Sequence, residues 1–201
     1  MADDTAREED HEPGANGGEP ASAPFADEPA SAPLADEVAA AVVARFAGSV
    51  FVESHGQSVV YVDRAVMADV ALLLRDEEQF TMLVDTVVVD HLLDGSRVSV
   101  DGVVPERFEV VVNFLSHTRN RRIRIVGEVP AADPTVPSLT PIYPGANFPE
   151  RESYDLFGIT FEGHPDLTRI LMPDDWHGHP LRKDDAAARV PVTFKGDPSP
   201  R

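Results

Sequence analysis

An α+β domain, with two helices packed on a mixed five-stranded sheet in the order α-β-β-α-β-β-β, is the fold class that this 201-residue sequence predicts. Three observations predict it. Residues 50–62 and 82–129 hold short apolar runs and alternations at the two-residue period of strands. Residues 36–46 and 63–74 repeat their apolar side chains at helical spacing instead. Proline is nearly absent between these signals: of 18 prolines, five lie in residues 1–34 and ten between Pro137 and Pro200, which leaves three for the middle. Hairpins without regular βαβ alternation separate this pattern from a doubly wound fold.

Each element has a local reason. Asp36 is a plausible N-cap for a helix carrying Val38, Ala41, Val42, Ala44, Arg45 and Phe46, with Gly48 as its stop. Val50–Glu53 and Val59–Val62 read as strands around a turn at His55-Gly56-Gln57. Asp63 can cap a second helix whose face holds Val66, Met67, Val70, Leu73 and Leu74. A third strand runs from Met82 to His91, with Leu83, Asp85, Val87, Val89 and His91 alternating against Val84 and Val88. Two more follow at Phe108–Leu115 and Ile123–Val129; in the first, Phe108, Val110, Val112 and Phe114 share a face.

Three regions result: a tail over residues 1–34, the α+β domain over 35–136, and a Pro-rich docking extension over 137–201. The tail is rich in Ala, Pro, Gly, Asp and Glu, and cannot bury enough apolar surface to offset its ordering entropy, so disorder is expected there. Within it, Ala21–Pro29 recurs almost unchanged as Ala30–Val38, a low-complexity duplication. Proline blocks ladder hydrogen bonds and helix continuation, so residues 137–201 are expected to form no second regular sheet and to lie along the first domain or another protein. Their one helix is expected near residues 147–157. Asn147 and Glu150 have capping-box spacing, Pro149 falls in the first turn, Gly158 can end it, and Phe148, Tyr154 and Phe157 would supply its apolar contacts. Arg151 and Asp155 stand at i, i+4.

The formal charge is −18, but residues 1–37 carry 11 acidic side chains against Arg7 alone, so the remaining 164 residues hold only −8. Nucleic acid is not an expected partner, because phosphate recognition needs a concentrated basic surface. The chain has no cysteine, which excludes disulfides, a catalytic thiol and cluster ligation by thiolates. No apolar run approaches the roughly 20 residues that span a bilayer, and the acidic N-terminus is unlike a signal peptide. The expectation is a soluble cytoplasmic chain that reaches a membrane only through a partner.

Chemistry-bearing clusters weigh little. His164, Asp166, Asp174, Asp175, His177 and His179 offer metal ligands, yet the intervening Pro165, Pro173, Gly178 and Pro180 favour turns that bond local backbone. Glu150 with Glu152, and Asp174 with Asp175, diverge rather than converge as acid–base pairs. Arg119, Arg121, Arg122 and Arg124 are the one basic cluster: a solvated hairpin tip, or a site for an acidic protein partner. No Gly-rich phosphate loop and no Gly-x-Ser-x-Gly elbow occurs.

The separated blocks of the extension then fall into one pattern. Glu150-Arg151-Glu152, Asp155-Leu156-Phe157-Gly158-Ile159, Gly163-His164-Pro165-Asp166-Leu167, Arg169-Ile170-Leu171 and Pro180-Leu181-Arg182-Lys183-Asp184 stand in the order found in the 30 kDa-type subunit of proton-pumping NADH:quinone oxidoreductase, respiratory complex I, which in bacteria is the C subunit. The chain resembles that family over roughly residues 35–185. It departs from the family at Phe148, where tryptophan is usual, at Pro149, and at Thr168, which replaces the first of a usual Arg-Arg pair.

The resemblance implies a cofactor-free subunit of the peripheral arm, on the cytoplasmic face of the cell membrane. FMN and Fe–S clusters would reside in partner subunits. Its neighbours would be chiefly the 49 kDa-type quinone-site subunit and the Fe–S subunits. Glu150, Arg151, Glu152, Asp155, His164, Asp166, Arg169, Trp176, Arg182 and Lys183 would fix the extension or its interface. The alternatives are the equivalent subunit of a membrane-bound hydrogenase or of an F420H2- or ferredoxin-linked oxidoreductase. A metal-dependent hydrolase using His164, Asp166, His177 and His179 is the alternative of another class.

Overall fold

The computed structural model describes residues 36–185; the tail expected over residues 1–34 and the end of the extension lie outside them. The chain starts in helix α1 (Glu37–Arg45), where the Asp36 carboxylate accepts hydrogen bonds from the Val38 and Ala39 N–H groups. Strands β1 (Val50–Ser54) and β2 (Gln57–Val62) form the expected hairpin. His55 (φ 53°) and Gly56 (φ 72°) both take the left-handed conformation that a two-residue hairpin turn needs. Asp63 caps a short 3₁₀ turn (Arg64–Val66) that leads into α2 (Met67–Asp76).

Three long strands follow: β3 (Met82–Asp90), β4 (Phe108–Ser116) and β5 (Arg121–Val129). The sheet order is β1-β2-β5-β4-β3, with β2 and β5 parallel and the other pairs antiparallel, so the sheet is mixed as predicted. Val38 and Val42 of α1 and Val70 and Leu74 of α2 are buried against Val60, Val110, Val112, Phe114, Ile123 and Ile125 on one face. The expected inward row of β4, Phe108, Val110, Val112 and Phe114, is in that core.

One register differs from the simple alternation of β3. The ladder with β4 shifts between Leu83 and Asp85, so Leu83 is buried on the same side as Thr86, Val88 and Asp90, while Val84, Val87 and Val89 are open. A bulge adds one residue and exchanges the faces beyond it.

The extension is part of the same core. Leu139, Tyr143, Ala146, Ile159 and Phe161 join the cluster built by the sheet and helices. The Tyr143 ring tilts against Phe114 at 5.2 Å, and its hydroxyl donates to the Phe80 carbonyl at 2.7 Å. Burial pushes that hydroxyl's pKa up. Contrary to the expectation from proline content, a second sheet does form. It comprises β6 (Thr135–Pro137) and, after α3 (Asn147–Phe157), β7 (Thr160–Glu162), paired in parallel. Three residues per strand suffice because the flanking prolines lie at or beyond the paired stretch.

Candidate functional site

Helix α3 inverts the usual rule for an amphipathic helix. Its buried residues are Glu150, Ser153 and Asp155, while Phe148 is 64% exposed and Tyr154 and Phe157 are half-buried. The expected capping box is absent: Ala146 is the N-cap, and no side chain caps the first turn. The helix end is as expected, with Gly158 left-handed at φ 75° and its N–H bonded to the Tyr154 carbonyl.

Glu150 explains the missing cap. Instead of reaching back along its own helix, its carboxylate accepts from the Leu139 N–H (2.7 Å), the Ser138 hydroxyl (2.6 Å) and the Thr140 hydroxyl (3.2 Å). It ties α3 to the loop after β6. Burial pushes its carboxyl above the ordinary range in spite of these donors.

Asp155 performs the second tie. Its Oδ2 accepts three consecutive main-chain N–H groups, Ile170 (3.1 Å), Leu171 (2.8 Å) and Met172 (2.9 Å). Its Oδ1 accepts from Arg169 at 2.6 Å. Three successive N–H groups around one oxygen make an anion nest, here filled from within. Burial raises the Asp155 carboxyl, but the three N–H donors and Arg169 together outweigh it, and the pKa lies below the usual carboxylate value. The predicted i, i+4 pair with Arg151 therefore does not form. Arg151 instead donates to the Thr168 carbonyl (3.0 Å) and hydroxyl (2.7 Å) and lies over the Phe148 ring. Thr168 is thus an acceptor for Arg151 through both its carbonyl and its hydroxyl.

Residues 163–185 form a strap without regular secondary structure, fixed to α3 along its length. His164 donates from Nε2 to the Asn147 carbonyl (3.2 Å), and its Nδ1 accepts from the Asp166 N–H (3.0 Å). Both ring nitrogens are therefore engaged by main chain. His179 donates from Nδ1 to the Asp155 carbonyl at 2.9 Å, and Arg169 reaches the Gly178 carbonyl at 3.0 Å.

The far end of the strap is clasped by residues that sequence reasoning missed. Arg107 forks onto Asp90 at the end of β3 (3.0 and 2.9 Å) and onto Asp184 (2.8 and 2.6 Å). The Lys183 N–H donates to Asp90 at 2.9 Å. Arg107 and Arg182 both stack on the Phe108 ring, at 4.7 and 5.3 Å. Arg107 first, then Arg182, holds the Asp184 carboxyl well below the usual range. Asp90 ends a strand and Arg107 sits in a loop, positions that no motif marks. Only their type, a carboxylate and a guanidinium flanking apolar strands, hinted at pairing.

The ten sequence-predicted residues thus divide. Glu150 turns inward and holds the loop after β6, while Arg151, Asp155, His164, Arg169 and Arg182 turn toward the protein and hold the strap. The side chains of Glu152, Asp166, Trp176 and Lys183 face solvent, as do Leu171 (53% exposed) and Leu181 (52% exposed). His177, Asp174 and Asp175 are exposed, and among the described residues no group of three or more His, Cys, Asp or Glu side chains could hold a metal ion. Among the described residues the arrangement leaves charged and apolar side chains open on the strap and assembles no group of metal ligands.

Known proteins match this chain in sequence and in fold. Residues 60–190 match the family model described as the respiratory-chain NADH dehydrogenase, 30 Kd subunit. The C subunit of NADH-quinone oxidoreductase from Nocardioides sp. is 43% identical over 145 residues, covering 72% of this chain and 55% of that protein. Its counterpart from Saccharopolyspora erythraea is 44% identical over 143 residues, which cover 70% and 54%. The chain thus spans about half the length of these two relatives. The counterpart from Roseiflexus sp. strain RS-1 is 46% identical over 149 residues, covering 72% of this chain and 80% of that one.

Among solved structures, the trypsin-resistant fragment of Nqo5 superposes with a TM-score of 0.54 at 34% identity, over 65% of this chain and 95% of the fragment. A chain of the membrane-bound sulfane sulfur reductase, an archaeal respiratory membrane complex, shares the fold alone. Its TM-score is 0.60 at 20% identity, over 81% of this chain and 96% of that one. The family match takes in β5, α3 and the whole described strap, and the chain belongs to the family of the 30 kDa subunit of respiratory-chain NADH dehydrogenase.

Proposed function

We propose that this chain is a peripheral-arm subunit of a proton-translocating NADH:quinone oxidoreductase, and that it acts by holding neighbouring subunits in register rather than by carrying a cofactor. Family membership supports the assembly. The observation that carries the role is the division of labour in the strap: inward charged residues pin it, and outward residues are left for a partner. In this reading FMN and the Fe–S clusters belong to neighbouring subunits, and electrons pass from NADH to quinone through those neighbours. The strap meets chiefly the 49 kDa-type quinone-site subunit and the Fe–S subunits. In this reading attachment to the cytoplasmic face of the cell membrane comes through the complex; no described helix is long and apolar enough to cross a membrane.

The test is recovery of the tagged full-length chain from mildly solubilised membranes of its own organism, followed by mass-spectrometric identification of co-purifying subunits. The expected set includes the quinone-site and Fe–S subunits together with NADH-dependent quinone reduction. Recovery of the chain alone contradicts the proposal. Recovery with hydrogenase-type or F420H2- or ferredoxin-linked partners in place of an NADH-oxidising module assigns it to that related assembly.

A further inference from the structure

We propose that the cleft between the β1–β2 turn and the start of β5 is a second docking site, for a carboxylate-bearing segment of a neighbouring protein subunit. The inference rests on the reading of the chain as part of an assembly, but on a surface remote from the strap in sequence and built from other elements.

Arg121, Arg122 and Arg124 open β5. Ile123 and Ile125 are buried in the core, so strand alternation puts Arg122 and Arg124 on the opposite face of the sheet, at the end of a smaller buried cluster of Val59, Val111 and Val126. Arg124 donates to Asn113 Oδ1 (3.2 Å) and Gln57 Oε1 (3.0 Å), two neutral amides that fix its guanidinium without cancelling its charge. Arg121 and Arg122 have no ion pair or side-chain hydrogen bond among the described residues, and Arg122 is exposed. This is unusual in so acidic a chain. Every other arginine among the described residues holds a carboxylate, as Arg119 does with Glu78 at 2.8 Å, except Arg151, which is engaged by Thr168.

The uncompensated guanidinia line two clefts, of about 510 and 270 Å³, that share Gln57, Ser58 and Arg122. Asp85 borders the smaller cleft and pairs with none of them. Fixed guanidinium forks beside a concavity suit carboxylates in two-point hydrogen bonds. Three arginines are fewer than the roughly four to eight cations that recruit an anionic bilayer. So small and local a cluster is likewise not the extended basic surface that nucleic-acid phosphates require. Acidic protein is the occupant that the charges favour.

Zero-length carbodiimide cross-linking of the intact complex tests this, using chains carrying R122K or R124K, which keep the charge and add a reactive amine. The expected product joins position 122 or 124 to an Asp or Glu of another subunit. The charge reversal R122E/R124E is expected to lower retention of that subunit on the order of tenfold at moderate salt. The melting temperature of the purified variant, unchanged, separates this from misfolding. If the wild-type chain does not co-purify with a complex, the proposed function fails first. If it co-purifies but the lysines cross-link to nothing, or only to carboxylates of this chain, the docking site is overturned. Loss of binding to anionic vesicles in the reversal variant, with no cross-link, would assign the cleft to a membrane surface and likewise overturn it.

Discussion

Asp155 is the residue on which most of the strap converges, and its chemistry sets the consequence of changing it. One oxygen is surrounded by three main-chain N–H groups and the other is paired with Arg169, all around a side chain with no exposure. An amide in its place keeps the shape but turns an NH2 donor toward either Arg169 or the nest, and removes the charge that satisfies both. Asp155→Asn is expected to destabilise the chain by about 3 kcal/mol, the scale for breaking a buried charge pair from one side. For a domain of this size that is a fall of about 5–10 °C in Tm, read by thermal circular dichroism. A change within 1 °C would show that the nest does not hold the strap. Glu150 has the opposite sign. Its raised carboxyl favours the neutral form, so Glu150→Gln, which keeps an acceptor for the Leu139 N–H, is expected to hold or gain stability near neutral pH. Glu150→Ala leaves the Leu139 N–H and two hydroxyls without their acceptor, and is expected to lose about 2 kcal/mol or more in the same melt.

At the scale of elements, the strap is held by carboxylates whose folded pKa values lie below their unfolded ones: Asp155, Asp90 and Asp184. The stability they contribute is complete above the unfolded carboxylate value of about 3.9 and is lost as pH falls through the lower folded values. Glu150 works against this trend, since a raised carboxyl is least costly when protonated. Trp176 is the only tryptophan, and it sits in the strap. Acidification below about pH 4 is expected to shift its fluorescence while far-UV circular dichroism still reports an intact sheet. Simultaneous loss of both signals would mean that strap and sheet open as one unit. The elements themselves were legible to differing degrees. The helices and strands of residues 36–129 follow from apolar period, because there side-chain burial and main-chain geometry agree. The bulge in β3 was not legible, since Val84 is as apolar as its neighbours and only the ladder with β4 reveals the extra residue. Helix α3 was placed by its turn residues, and Phe157 packs against the core as expected, but Phe148 is open and the fully buried positions were missed. Period analysis assumes that apolar side chains point inward, whereas here Glu150 and Asp155 are buried because loop N–H groups wait for them.

For the molecule as a whole, the surface left over after folding is the informative part. The charged motifs of the extension, which looked like contacts for partners, are mostly consumed inside the chain: Arg151 by Thr168, Asp155 by the nest, Arg182 by Asp184 and the Phe108 ring. Their long-range partners lie up to 93 positions away, as Lys183 does from Asp90, so no local pattern could have paired them. What remains outside on the strap includes three large apolar side chains, Leu171, Trp176 and Leu181, among exposed charges such as Asp166, Asp174, Asp175 and Lys183, with Phe148 of α3 under Arg151. Large apolar side chains left open on a segment held this firmly are expected to be buried by a partner, and tryptophan is prominent among residues that dominate interface energies. Trp176→Ala combined with Leu171→Ala is therefore expected to lower incorporation into the membrane complex about tenfold or more, measured as the fraction of chain migrating with the complex on a native gel. The isolated chain should lose only about 1–3 kcal/mol and stay folded, because both side chains are partly exposed and neither belongs to the core cluster. Arg151→Glu separates the two roles from the other side: it opposes Thr168 and should loosen the strap, lowering both Tm and assembly. If the apolar pair leaves assembly intact while Arg151→Glu abolishes it, the strap is a structural brace and the partner surface lies elsewhere on the domain.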